Sequence, residues 1–326
     1  MKFVSRAAVL LGAFLLVLAA LSKFYMYDRL AVAPANTQTT SISATAPGDD
    51  AEYLDIAAGL KISNGPLQST RIVEGNVKAS EQASDDLGRD IDVWDTYSCT
   101  APPTFDCSGG GVPLSATNSR VAFDAHTGEA VEWDGTRQET NGETEDGFTF
   151  EGQFFKFPFN TEKKTYQFWD GTLGKATDAE YVGEDSIDGL KVYNFEQKID
   201  PVMTGTIDVP ASLVGQDGDG NVTADRYYSN VRTFSVEPTT GVIIVGGEDQ
   251  DGYLELDGQR VLTTTAAKLV YTDENTQDTV DEYKPKAQLL GIVNTGLPIG
   301  GAIVGIVLIG LGLALGRRKG EPAQHA

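Results

Sequence analysis

The sequence predicts a mainly β protein: an elongated, antiparallel, barrel-like extracytoplasmic domain flanked by two transmembrane helices. Three observations predict it. An apolar run stands near each end of the chain, short alternating apolar–polar segments fill the middle, and Asp-Gly turn dipeptides separate those segments.

Residues 7–21 read AAVLLGAFLLVLAAL without a charge, and only Lys23 interrupts the apolar stretch up to residue 27. A run of about 20 such residues crosses a bilayer. Lys2 and Arg6 precede it, and Tyr25 and Tyr27 follow where an interfacial aromatic belt belongs. A cleaved signal peptide is the rival reading. The small-residue pattern Ala31-Val32-Ala33 is followed by Pro34, a poor residue after a cleavage site, and Ala33-Pro34-Ala35 lies far beyond the run. An uncleaved anchor over residues 7–27 is therefore expected.

The second run covers residues 289–315, with Asn294 and Thr295 near its start and Arg317, Arg318 and Lys319 directly after it. Lys and Arg concentrate on the cytoplasmic side. Residues 1–6 and 316–326 are thus expected in the cytoplasm and the domain between the helices outside it, in a double-pass cell-membrane protein. Gly301 with Gly305, and Gly312 with Gly316, form two G-x-x-x-G pairs. They read either as a close-packing face for the N-terminal helix or as an ordinary glycine-rich membrane helix.

Without the residues outside the two runs' inner flanks, the chain keeps 20 basic and 46 acidic residues, a net −26. Phosphate contact needs Lys and Arg, so a nucleic-acid partner is excluded. Only two cysteines occur, Cys99 and Cys107, in the loop-like stretch CTAPPTFDC. Outside the membrane they are expected to form a disulfide.

Residues 28–50 are expected to be a flexible stalk, since 34–50 are rich in Thr, Ser, Ala and Pro. Residues 51–285 form one large domain or two packed halves. Strands are expected at 71–73, 76–79, 91–94, 120–123, in the aromatic stretch at 148–150, 154–159 and 166–169, at 234–237, 242–245, 253–256 and 266–271, and most clearly at 190–197, where apolar and polar residues alternate over the whole stretch. Asp134-Gly135, Asp188-Gly189, Asp251-Gly252 and Asp257-Gly258 are turn signals. One internal echo links 121–131 to 234–244: strand, acidic residue (Asp124, Glu237), two residues, Thr-Gly (Thr127-Gly128, Thr240-Gly241), strand. It reads as two hairpins of a common type or as a duplicated half.

Catalytic chemistry has no support in these residues. His126 sits in a turn signal, and no Gly-x-Ser-x-Gly elbow accompanies it. Asp217-Gly-Asp219-Gly-Asn221 starts like a calcium loop, but Val222 and Tyr228 stand where Gly and Glu are required. It reads as an acidic turn, with only weak, adventitious calcium binding compatible with the charge. No catalytic residue, metal site or cofactor is assigned, and the chain is expected not to be an enzyme. The aromatic stretch with Phe148, Phe150, Phe154, Phe157, Phe168 and Trp169 has two readings. It is packing in a large sheet, or it lines an apolar cavity for a lipid.

Val93-Trp94-Asp95, Arg120-Val121-Ala122-Phe123-Asp124, Thr127-Gly128-Glu129-Ala130-Val131, Phe157-Pro158-Phe159, Gly189-Leu190-Lys191-Val192-Tyr193 and Val236-Glu237-Pro238, in this order between two apolar helices, carry a resemblance over nearly the whole chain. The chain resembles the actinobacterial DUF3068 family, also called the porin PorA family. The resemblance implies a cell-envelope protein connected with lipoglycan or glycolipid assembly, with an elongated barrel-like outer domain around an apolar cavity. On that implication the six aromatics line the cavity, and the partners are a membrane lipid or glycolipid and envelope-assembly enzymes. A scaffold for such enzymes is the alternative. The porin label fits less well, because a transmembrane barrel needs an outward apolar band on many strands of about ten residues.

Overall fold

The computed structural model describes residues 2–56, 58–107, 109, 111–140 and 143–317. The basic residues Arg318 and Lys319 and the rest of the expected cytoplasmic tail lie outside the described residues. Two compact units emerge, one built from the two ends of the chain (residues up to 32 and from 284 on) and one from Ala33–Tyr283.

In the first unit, α1 (Lys2–Leu21) passes through a π-turn (Ser22–Met26) into α2 (Tyr27–Leu30), so that Phe3–Leu30 forms one apolar helix of 28 residues. A helix is the natural state of such a run, since lipid offers its backbone no partner other than itself. The C-terminal run belongs to a 45-residue helix, Asp273–Arg317, again interrupted by one π-turn (Ile292–Gly296). The two runs pack against each other. Gly12 meets Gly305, Gly301 meets Leu15 and Ala19, and Gly312 meets Ser5 and Val9. Ser5 Oγ donates to the Gly312 carbonyl at 2.7 Å, and Ser22 Oγ donates to the Val293 carbonyl at 2.7 Å. The glycine pairs are therefore a packing face, and the partner is the N-terminal helix of the same chain.

A Cβ on Gly12 would stand 2.6 Å from the Gly305 carbonyl oxygen and 2.7 Å from Ile309. Gly12→Leu is expected to force the pair apart and to lower the melting temperature of the detergent-solubilised chain by several degrees, whereas Leu10→Phe, at a position 71% exposed, leaves it unchanged. Equal melting of the two variants would refute this packing.

The second unit is a 14-stranded antiparallel sheet. Its strands are β1 (Gln38–Ala44), β2 (Ala51–Asp55), β3 (Lys61–Gly65), β4 (Gln68–Gly75), β5 (Ile91–Ala101), β6 (Ser115–Asp124), β7 (Arg137–Thr140) and β8 (Glu143–Asp146). They continue with β9 (Tyr166–Asp170), β10 (Lys175–Ile187), β11 (Leu190–Pro210), β12 (Asn221–Val236), β13 (Ile243–Leu256) and β14 (Gln259–Tyr271). The spatial order is β8-β7-β6-β5-β4-β1-β14-β13-β12-β11-β10-β9, with the β2–β3 hairpin against β14. The expected mainly antiparallel β architecture is present. The sheet is not a closed barrel by regular pairing, because β8 and β9 are its two ends.

Asp188 and Gly189 (φ 47° and 73°) and Asp257 and Gly258 (φ 51° and 77°) make the two tight hairpins with left-handed central residues that their dipeptides predict. Asp251-Gly252 is not a turn. It lies inside β13, where Gly252 adjoins a register shift against β14.

Three further expectations change. Within the expected stalk, residues 38–44 form β1, hydrogen-bonded to β4 along its whole length and to β14 at Ser43 and Ala44. Ahead of it, Ala33 N donates to the Ala125 carbonyl and Trp94 Nε1 to the Pro34 carbonyl. The strand is mostly Ser and Thr, so its composition looks like a linker although both edges are occupied. Residues 76–79 open a helix, α3 (Val77–Leu87), rather than a strand. The Asn76 side chain caps its first turn by accepting from Ala79 N, Gly88 ends it at φ 67°, and Ala79, Ser80 and Ala83 form the buried stripe. Residues 148–165, the start of the aromatic stretch, form no strand, and regular pairing resumes at Tyr166.

Candidate functional site

The aromatic segment links β9, one end of the sheet, to the stretch just past β6. Ala130 N donates to the Gly152 carbonyl at 2.8 Å, Gln153 N to the Gln167 carbonyl at 2.7 Å, and Trp169 N to the Gln153 carbonyl at 2.8 Å. Gln153 thus bridges Glu129, just past β6, and Phe168 on β9.

The two echoed turns hold this segment. Asp124 Oδ1 accepts from the backbone N of His126 and of Thr127 at 3.0 and 2.9 Å, and Gly128 closes the turn at φ 74°. The Glu237 carboxylate accepts from Thr239 N at 2.9 Å, Thr240 N at 2.7 Å and Thr240 Oγ1 at 2.6 Å, and Gly241 closes that turn at φ 75°. Each acidic side chain takes up backbone donors that a tight turn would otherwise orphan. Between the turns, Phe157 N donates to the Gly241 carbonyl at 2.8 Å and Thr161 N to the Pro238 carbonyl at 2.7 Å, while Phe159 N reaches the His126 carbonyl at 3.4 Å. His126, whose ring lies 3.4 Å from Asp90, serves the turn through its backbone.

The six aromatics separate into two groups. Phe150, Phe154 and Trp169 pack with Val121, and Phe148 lies on them. Phe150 stands 5.2 Å from both Phe154 and Trp169, in edge-on geometry. Phe157 and Phe168 belong to a different cluster with Phe195, Phe234 and Val236. Phe157 stacks on Phe195 at 4.6 Å, and Phe168 lies 4.4 Å from Phe234. Neighbours on a strand point to opposite faces, so Phe168 and Trp169 of β9 do not face one space. A groove of about 500 Å³ lies beside the first turn, lined by Leu87, Arg89, Asp124 and Glu132 among others and by none of the six aromatics.

Buried charge surrounds these clusters, and no local pattern marks it in the sequence. Lys156, in the run Phe-Phe-Lys-Phe-Pro-Phe, is 6% exposed. Its Nζ donates to the Phe157 carbonyl at 2.7 Å and lies 3.9 Å from the centre of the Phe159 ring. Burial pushes its amine down to about 7, against the pull of Asp92 and Glu237. Asp92 on β5 is 4% exposed, and its Oδ2 finds no hydrogen-bond partner among the described residues. Burial pushes this carboxyl up to about 7, Asp90 adds to the rise, and His126 and Lys156 oppose it. One sequence signal could have pointed here, a single cation enclosed by phenylalanines.

A second polar group joins β9, β12 and β13. Tyr228 Oη donates to Asp170 Oδ2 at 3.0 Å, Asn230 Nδ2 donates to Tyr228 Oη at 2.9 Å, and Arg232 lies 3.5 Å from Glu248 and 3.6 Å from Asp170. Burial disfavours the Arg232 charge, but Glu248 and Asp170 outweigh it and raise its affinity for the proton. Burial and the Asp170 charge push the Tyr228 hydroxyl up. Across the sheet, Arg71 on β4 donates to Thr96 Oγ1 at 3.3 Å and lies over the Phe154 and Phe155 rings at 5.0 and 5.4 Å. The second group is paired except at Asn230 Oδ1, a buried atom that finds no hydrogen-bond partner among the described residues. Neither group presents a nucleophile and base in contact.

Cys99 and Cys107 form the expected disulfide, with Cα atoms 6.1 Å apart. Cys99 is fully buried on β5, so the bridge ties the loop after this strand back to the sheet. Cys99→Ser with Cys107→Ser is expected to cost about 2–3 kcal/mol for a loop of this length. A chemical-denaturation midpoint identical to that of the parent chain would refute it. Residues 217–221 form the turn into β12, and among the described residues no group of three or more His, Cys, Asp or Glu is placed to hold a metal ion.

Known proteins place this architecture. A porin PorA from Corynebacterium amycolatum is 27% identical over 317 residues, covering 76% of this chain and 77% of that protein. A porin PorA from Corynebacterium resistens is 27% identical over 253 residues, covering 57% and 61%. The family model described as "Porin PorA" matches residues 4–314, from the first membrane-length helix to the second, and the chain belongs to the porin PorA family.

Proposed function

We propose that this protein is a two-pass membrane protein of the cell envelope, with both termini in the cytoplasm and the sheet unit outside. There it acts as a non-catalytic interaction module in envelope assembly. The observation that carries this reading is the packing of the aromatic segment against the strands. Phe150, Phe154, Phe157, Phe168 and Trp169 are spent on one another and on neighbouring strands. A protein built this way works through its surface. The partners it would meet are envelope-assembly enzymes and the lipids or glycolipids they handle. In-cell photo-crosslinking from exposed β-sheet positions of the full chain tests it. The expected result is a small, reproducible set of envelope proteins. A chain that crosslinks to nothing, but carries one tightly held glycolipid in native mass spectrometry, would overturn surface docking in favour of an internal lipid site.

A second reading, conduction, is favoured by the name that the relatives bear. One pair of helices encloses no pore, so this reading requires several copies. Planar-bilayer recordings decide it. Discrete conductance steps from the purified chain would establish it, and a silent bilayer at verified insertion would remove it.

A further inference from the structure

The hairpin of β11 and β12 outruns its neighbour. β11 pairs with β10 only as far as Gln197, opposite Ala179, whereas it pairs with β12 from Tyr193 to Pro210. Over residues 198–210 the outer edge of β11 therefore faces no strand among the described residues. Such an edge carries a row of unpaired N–H and C=O groups, a template for another strand. Its first half is blunted. Pro201 lies in the register shift between Ile199 and Val202, and a second shift separates Met203 from Gly205. Its second half is regular, with residues 205–210 opposite 221–226 one for one.

The two faces of this stretch differ. Ile207 and Val209 lie opposite Ala224 and Val222, and Val209 and Ala224 pack with Val214 and Leu254. The alternate residues Thr206 and Asp208 lie opposite Asp225 and Thr223. Their face continues through Tyr227, which stacks on Tyr253 at 5.2 Å, and through Glu255, which stands opposite Asp225. One face is thus apolar, with Ile207 exposed at its rim, and the other is acidic and aromatic. The acidity does not depend on where the hairpin is cut. Residues 198–230 hold five acidic and two basic residues, and β13 alongside adds Glu248, Asp249, Asp251 and Glu255 with no Lys or Arg. Asp200 and Asp251 are paired with Lys198 and Arg260. Asp225 and Glu255 form no ion pair among the described residues, and like charges directly opposite each other favour an incoming cation. β10 beyond Ala179 presents a second open edge, but there Glu184 is already held by Lys163 and Lys191 at 2.8 and 3.0 Å, and a register shift follows Tyr181.

Given the interaction reading above, we propose that residues 205–209 of β11 are the docking edge of the module, and that their occupant is an extended segment of a partner protein in which apolar and basic side chains alternate. Added as a strand, such a segment pairs its backbone with the open edge. Its apolar side chains lie against Ile207, and its cations lie beside Asp208 and Asp225. A second copy of this chain would bring Asp200 and Asp208 against the same acidic edge, so like charges disfavour it.

Fluorescence anisotropy of the detergent-solubilised full chain tests it with three short labelled peptides. One alternates Lys and Val, one alternates Glu and Val, and one alternates Lys and Pro, which keeps the charge but lacks the N–H donors of a strand. The Lys-Val peptide is expected to bind about tenfold more tightly than either of the others. Ile207→Lys with Asp208→Lys is expected to remove that preference. Val182→Lys with Asp185→Lys, the same change on β10, is expected to keep it. All four side chains are exposed, so both variants are expected to melt with the parent chain. Equal affinity for the Lys-Val and Lys-Pro peptides would mean attraction by charge alone and would overturn the proposal. Loss of the preference in the β10 variant would also overturn it, as would a concentration-dependent dimer that the β11 substitutions abolish. In-cell crosslinks from other sheet positions would then leave the interaction reading standing, and only this edge would fall.

Discussion

Gly241→Ala is expected to destabilise the sheet unit by more than about 3 kcal/mol, because two penalties add at one atom. Gly241 has a φ of 75°, a conformation that costs a side-chain-bearing residue about 1 kcal/mol. Its added Cβ would also overlap the backbone carbonyls of Phe157 and Pro158. Those atoms cannot swing away like a side-chain tip. The segment would have to retreat, which breaks the Phe157 N to Gly241 carbonyl bond and lifts Phe157 from Phe168, Phe195 and Phe234. Gly258→Ala is the control, since φ is 77° there and a Cβ would meet open space. Its expected cost is only the conformational one, about 1 kcal/mol. Thermal melts of the full chain, followed by tryptophan emission, compare them, and equal losses would show that the segment is not held against this turn.

Lys156→Met is expected to stabilise the chain at and below neutral pH by an amount on the order of 3 kcal/mol, and to lose that advantage as pH rises towards the ordinary lysine range. The folded-state amine is pushed down to about 7 from 10.5, so below about 7 it must stay charged in a buried place, and the full penalty is present there. Between about 7 and 10.5 the folded chain releases the proton before the unfolded chain does, and the penalty fades. Asp92→Asn has the opposite dependence. That carboxyl is pushed up to about 7 from 3.8, so the native aspartate costs most above about 7 and nothing below 3.8. Its replacement therefore stabilises the chain in mildly alkaline buffer and not in acid. Denaturant midpoints of the three chains at several pH values check both signs. Parallel curves for parent and variants would show that neither group carries its charge in a buried place. The two substitutions are expected to couple, since Asp92 draws the Lys156 proton and Lys156, after His126, opposes the rise at Asp92.

Much of the site was hidden for a physical reason that these residues illustrate. Asp124 and Glu237 were visible as an echo, because a tight turn with Thr-Gly is a local event that adjacent residues specify. That the two turns clasp one segment was not visible, because His126 and Gly241 are brought to it only by the tertiary pairing of β6 and β12. Lys156 lies among phenylalanines in the chain, yet its neighbour Asp92 comes from β5. Phe168 and Trp169 looked like members of one lining, and strand alternation sends them to different clusters.

Two features followed from the amino-acid sequence alone: the two membrane-length helices, and the antiparallel style of the middle with its disulfide between Cys99 and Cys107. Each depends on composition or spacing within a few turns or a single hairpin. The tertiary structure alone decided that the Ser/Thr-rich residues 38–44 enter the sheet between β4 and β14, more than 220 residues away in the case of β14. It also decided that the aromatic segment links β9 to the stretch just past β6 rather than forming strands. Strand pairing rewards backbone groups that every residue carries, so where a polar strand docks is settled by which edges remain open once the rest of the chain has folded.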